Sequence, residues 1–156
     1  MKKLIILLSL ISFNAIGAGT SSNTDDSSET SDQIITLYEL AEKHIDNQSY
    51  DKSLKLLKKL TKREDLGTKR ADIYNLLGFS YRKLENPDLD KSFAAYMMAI
   101  EIDPSHLGAH EYLGELYLMR DQKDKAVIIL KKLDQLAGSN TEEYKELKIA
   151  IDAYQS

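Results

Sequence analysis

The chain has 156 residues, 29 % of them charged, with a formal net charge of −4, two Pro and no Cys. That length holds one continuous core or one short repeat array, not two independent domains. The lack of Cys excludes disulfides, thiol nucleophiles and thiolate metal sites. The slightly acidic balance excludes the bulk positive field on which nucleic-acid binding depends.

The first segment, "MKKLIILLSLISFNAIGAG", has two lysines, an apolar run from Leu4 to Phe13 and then small residues. That order predicts a secretory signal peptide over residues 1–18, cleaved after Gly17 or Ala18. The alternative is a retained anchor. The run is shorter than the ~20 residues of a spanning helix, and Ser9, Ser12 and Asn14 interrupt it. Export to the periplasm, with no stable membrane insertion after cleavage, is therefore expected. No Cys follows the run, which excludes lipid attachment there. Residues 19–32, "GTSSNTDDSSETSD", hold four acids, no base and no large apolar residue. This composition predicts a disordered linker. From Gln33 onward the charges are close to balanced, so the acidity sits largely in the linker.

Beyond residue 33 apolar residues recur at steps of three and four, and no stretch alternates for long. Seven helices are predicted: 32–46, 49–63, 69–84, 89–102, 106–120, 123–136 and 141–154. Their expected start signals are Thr30 with Gln33, Ser105 after Pro104, and Asn140 with Glu143. Breaks fall at Asp46-Asn47, Asp65-Leu66-Gly67, Asn86-Pro87, Asp103-Pro104, Asp121 and Gly138.

The helices repeat in pairs. Leu77-Gly78 with Tyr81 recurs as Leu113-Gly114 with Tyr117, and a weaker copy precedes both at Leu40-Ala41 with His44. The second helices carry Ser53, Leu57 and Leu60; Ser92, Tyr96 and Ala99; and Ala126, Leu130 and Leu133. Each triplet begins with a small residue. The small residue of each first helix is expected to let the second helix of its own pair approach closely.

This pattern resembles the tetratricopeptide repeat, a helix-turn-helix unit of 34 residues, and Pro104 in "AIEIDP" matches the family's unit ending. The resemblance covers residues 33–138 as three units, about 34–66, 70–104 and 107–138. Leu37, Tyr74 and His110 stand where the family has Trp, and the second unit has two extra residues near Asn86-Pro87. Residues 139–156 form an extra helix with Tyr144, Leu147, Ile151 and Tyr154 on one face and Glu142, Glu143, Lys145, Glu146 and Asp152 on the other, as a terminal cap needs. The resemblance implies an all-α, right-handed solenoid of three repeats and a capping helix. It is also similar to small exported bacterial repeat proteins, which implies an envelope location.

Little in the chain points to catalysis, and no catalytic, cofactor or metal residue is assigned. His106 and His110 lie four apart beside Glu111, without a third rigid ligand, and read as a helix-start residue and a packed one. His44 reads as half-buried core. Glu42, Asp46, Glu111 and Glu115 have no nucleophile or phosphate loop beside them, so no enzyme is expected. Lys52, Lys55, Lys59, Lys62 and Arg63 line one side of a helix and read as a solvated face; the rival reading is contact with an anionic polymer or lipid.

By the resemblance, the first helix of each pair lines a concave groove. The residues projecting there are Ile35, Tyr38, Glu42 and Ile45; Asp72, Asn75, Phe79 and Arg82; and Glu111, Glu115, Leu118 and Met119. Tyr38, Phe79 and Met119 suit apolar anchoring, and Asn75 and Arg82 suit orientation of a peptide. Phe79 is the expected central anchor. The basic clamp with which some family members hold a C-terminal carboxylate is absent, because Tyr38, Glu42, Phe79, Glu111 and Glu115 occupy its positions. The expected function is a non-enzymatic protein- or peptide-binding module of the cell envelope. The alternative is a structural envelope protein acting by self-association or through the basic helix. Nothing in the sequence fixes the oligomeric state or names the partner.

Overall fold

The computed structural model of the chain describes residues 26–155. The expected signal peptide and the first part of the expected linker lie outside the described residues. Within them are seven helices: α1 Asp26–Asp46, α2 Tyr50–Leu60, α3 Lys69–Arg82, α4 Leu89–Ile102, α5 Leu107–Met119, α6 Lys123–Ala137 and α7 Glu142–Ala153. No strand occurs among the described residues. None of these helices is long and apolar enough to cross a membrane.

The helix starts differ from the sequence expectations for local reasons. α1 begins at Asp26, so residues 26–32 of the expected linker are helical. The Thr36 hydroxyl donates to the Asp32 carbonyl at 2.8 Å, one turn back, which places residue 32 inside the helix. Thr30 then lies inside the helix rather than at its start. At α5 the cap is His106 rather than Ser105, since Asp103 captures both the Ser105 amide (2.9 Å) and its hydroxyl (2.6 Å). His106 Nδ1 instead accepts from the Ala109 amide at 3.1 Å. At α7 the cap is Thr141, which accepts from the Tyr144 amide. Asp88 caps α4 by accepting from the Lys91 amide at 3.0 Å.

α1/α2, α3/α4 and α5/α6 pack as antiparallel pairs. α2 also packs on α3, α4 on α5, and α7 on both α5 and α6. The repeat is visible in the backbone. In every unit, the carbonyl of the first helix's aromatic-position residue accepts from the residue that opens the second helix. The pairs are Ser49 to His44 (2.7 Å), Asp88 to Tyr81 (3.1 Å) and Gln122 to Tyr117 (2.8 Å). In the first and third units the turn passes through a left-handed residue, Gln48 (φ 56°) or Asp121 (φ 57°). Both are strained there, having a Cβ. Gln48→Gly is therefore expected to raise stability by about 0.5–1 kcal/mol, the relief of strain outweighing the added chain entropy. A urea midpoint that falls in this variant would contradict that balance.

Gly78 behaves as expected from its pattern. A Cβ there would lie 2.6 Å from the buried Tyr96 ring of α4, and the Ser92 hydroxyl donates to the Gly78 carbonyl at 2.8 Å. Gly114 differs. A Cβ there would meet Leu147 of α7, with Cδ2 at 2.5 Å and Cδ1 at 2.7 Å. The space beside this glycine is thus filled most tightly by the terminal helix, and Leu147 is fully buried. Small residues also meet at the α2–α3 contact, where the Ser80 hydroxyl donates to Ser53 Oγ at 3.3 Å.

His110, at the family's Trp position, is 4 % exposed. Its Nε2 lies 3.0 Å from the Pro104 carbonyl, and its buried Nδ1 has no partner. Burial holds its pKa below the ordinary value near 6.5, although the Pro104 carbonyl acts the other way. The unfolded chain then binds the proton more readily than the native one, so stability rises with pH. The His110 contribution is expected to be lost as pH falls from about 6.5 toward the lower native pKa. His110→Gln keeps a donor for Pro104 but does not titrate. Its urea stability is expected to depend less steeply on pH between about 7 and 5 than that of the parent chain; equal slopes would exclude this role.

Candidate binding groove

Most of the residues expected to line the groove are buried or half-buried. In the first unit Tyr38 is buried, and Lys69 sits 4.6 Å above its ring. Burial, and then the nearby Glu42 carboxylate, push the Tyr38 hydroxyl pKa up. Burial also raises the Glu42 pKa, against the opposing pull of its hydrogen bond with Tyr38 and of Lys69. Ile35 is exposed and Ile45 half-buried.

In the second unit Asp72 is 3.2 Å from His106 Nε2. The contact joins α3 to the start of α5 and holds the Asp72 carboxyl below the ordinary carboxylate range. Asn75 is buried; its amide nitrogen would stand 3.4 Å from a Cβ on Gly108. Phe79 is half-buried within an aromatic chain. Its ring is 6.2 Å from Tyr50 and 5.1 Å from Tyr112, and Tyr112 is in turn 6.0 Å from Tyr96. This chain ties α2, α3, α5 and α4 together. Truncating Phe79 therefore acts on packing between helices as well as on any exposed surface.

Arg82 is 5 % exposed and forms an ion pair with Glu115 of α5. Its guanidinium lies 5.6 Å from the Phe79 centroid and 5.1 Å from that of Tyr112. Burial disfavours its charge, but Tyr96 and Glu115 more than offset this and raise its pKa. Glu111 and Leu118 are buried, while Met119 is 47 % exposed.

Arg82, Glu115, Leu118 and Met119 meet Ala150, Ala153 and Tyr154 around a hollow of about 390 Å³ at the α5–α7 junction. The sequence pattern assigned the first four residues to the groove but read α7 only as a cap. A signal was present: Ala150 lies 36 residues after Gly114, as Gly114 lies after Gly78. Two alanines, one turn apart, leave the space open. At the rim the Tyr154 hydroxyl donates to Asp121 at 2.7 Å, and Lys123 lies over the Tyr154 ring at 5.6 Å. Tyr38, Glu42 and Asn75 do not line this hollow.

The other sequence candidates have structural partners. His106 Nδ1 is taken up in capping and His110 Nε2 by Pro104. Among the described residues no group of three or more His, Asp or Glu is placed to hold a metal ion. On α2, Lys52, Lys55 and Lys59 are exposed, whereas Ser53, Leu54, Leu57 and Leu60 are buried. Lys62, just beyond α2, is exposed, and Arg63 pairs with Asp65 at 2.7 Å.

No family model and no curated relative matches the chain. Among solved structures, the crystal structure of MamA is similar, with a TM-score of 0.63 and 22 % identity, covering 76 % of this chain and 67 % of MamA. MamA is a tetratricopeptide-repeat protein, and the likeness shows the fold: an all-α, right-handed solenoid of three tetratricopeptide-type units closed by a terminal helix.

Proposed function

We propose that the chain is a non-enzymatic protein-interaction module of a bacterial cell envelope, exported by its N-terminal segment, that binds a peptide or protein segment on its concave side. The observation carrying this reading is the hollow between α5 and α7. It combines exposed Met119, Leu118 and two alanines with a fixed polar group, the Arg82–Glu115 pair. Binding sites commonly join an apolar floor to a few oriented polar groups. The solenoid fold, shared with MamA, supports a role in which shape and surface act rather than a reaction centre.

Met119→Arg tests the site. The side chain is exposed, so folding stability should change by only about 0.5 kcal/mol or less. Crosslinked pull-down from the periplasm is expected to lose its main partner in this variant and to retain it in Lys55→Glu on α2. The opposite pattern would favour attachment through the basic helix. The export reading has its own check. Mass spectrometry of the periplasmic protein is expected to find a chain starting near residue 18 or 19, and an intact Met1 would overturn cleavage.

A further inference from the structure

The polar groups around the hollow are unequally accessible, and that inequality bears on partner charge. Arg82, the cation among its lining residues, is 5 % exposed and already engaged by Glu115; the Glu115 side chain is 26 % exposed. A carboxylate has about four acceptor positions, so one ion pair does not exhaust it. The rim near Tyr154 carries one charge of each sign, Lys123 and Asp121. An anionic segment entering here meets a sealed cation and an accessible carboxylate. A cationic segment meets a usable partner.

The wider charge pattern has the same sense. From residue 31 on, the inner helices α1 and α5 carry six carboxylates and one lysine; Glu111 is buried and Glu115 pairs with Arg82, which leaves Asp32, Glu39, Glu42 and Asp46 accessible beside Lys43. The outer helices α2, α4 and α6 carry nine lysines and five carboxylates. α3 has three bases, but Arg82 is buried, Arg70 donates to the carbonyls of Arg63 and Glu64, and Lys69 covers Tyr38. α7, which closes the hollow, carries four carboxylates and two lysines. Such a distribution attracts positive segments to the inner side and repels them from the outer one.

We infer that the groove selects a cationic segment: a stretch of a partner protein with a bulky apolar side chain for the hollow and a Lys or Arg beside it for Glu115. The inference rests on the groove being the binding surface. A hollow of about 390 Å³ is near the lower end of the ~300–1,000 Å³ range of ligand sites. It takes a few side chains of an extended segment rather than the whole face of a helix.

Selection from a display library of random 12-residue peptides on the purified chain tests this, with the winners resynthesised and titrated by fluorescence anisotropy. The expected winners place Lys or Arg next to Leu, Phe or Met, and weaken at least tenfold when their bases are changed to citrulline or Glu. Their affinity is also expected to fall with added salt. These changes of charge are made in the peptide, which leaves the Arg82–Glu115 pair intact. Winners without a basic preference that are still lost in Met119→Arg would overturn the charge selection and leave the groove standing. Winners indifferent to Met119→Arg, or a selection with no winners, would overturn the groove reading and this inference with it.

Discussion

Leu147→Ala is expected to destabilise the chain by about 2–5 kcal/mol, the range for removing a fully buried leucine. Its side chain is 0 % exposed and occupies the space that Gly114 leaves on α5. The pair gives a sharper result than either residue alone. Gly114→Ala places a methyl within 2.7 Å of both Leu147 Cδ atoms, and the Leu147 Cγ is at 3.2 Å. Overpacking of this kind costs about 1–3 kcal/mol, only partly offset by the higher helix propensity of Ala, worth about 1 kcal/mol. In an L147A background the obstructing side chain is gone. The same Gly114→Ala change should then stabilise, by up to about 1 kcal/mol, through propensity and partial filling of the cavity. Denaturant titration of the four proteins reads this reversal of sign. If Gly114→Ala has the same effect in both backgrounds, the close contact at this glycine lies elsewhere, on α6 as the repeat pattern alone had it.

The contrast between Gly78 and Gly114 indicates what a repeat makes legible. The recurrence of Leu-Gly with Tyr fixes which residues share a helix face, and the turns between paired helices follow from it. At Gly78 the expected neighbour, Tyr96 of the paired helix, is the one found. Gly114 sits in the last unit, where no fourth pair follows, and α7 is drawn into the space. Nothing in the local residues of "YLGELY" marks that difference. The expected linker overlaps α1 at residues 26–32 for another reason: Ser, Thr and Asp there have the composition of a linker. Cap positions slipped by one residue where Asp103 competes for Ser105. Face assignment by analogy brought Arg82, Glu115 and Met119 to one place but could not give their burial. That depends on how closely successive first helices pack. The Arg82–Glu115 pair spans 33 residues, one turn short of the 36-residue repeat, so aligning the units sets neither residue opposite the other.

Glu115→Ala is expected to cost about 3–5 kcal/mol, more than Arg82→Met at about 2 kcal/mol or less. Both changes remove the same ion pair, so a pairwise contact energy predicts no such order. The order comes from what each change leaves behind. Without Glu115, a guanidinium that is 5 % exposed remains charged among Phe79, Tyr96 and Tyr112 with no carboxylate to balance it. Without Arg82, the remaining carboxylate is 26 % exposed and water can reach it. Methionine also refills much of the space between the Phe79 and Tyr112 rings with a flexible apolar chain. The double change Arg82→Met with Glu115→Leu removes both charges and should return stability to near the parent value or above it. Urea midpoints of the two single variants and the double variant give the comparison, and the burial of the guanidinium predicts little change of the order with added salt. Arg82→Met as the more damaging single change would mean that stacking on the two rings, rather than charge balance, is what this arginine chiefly supplies.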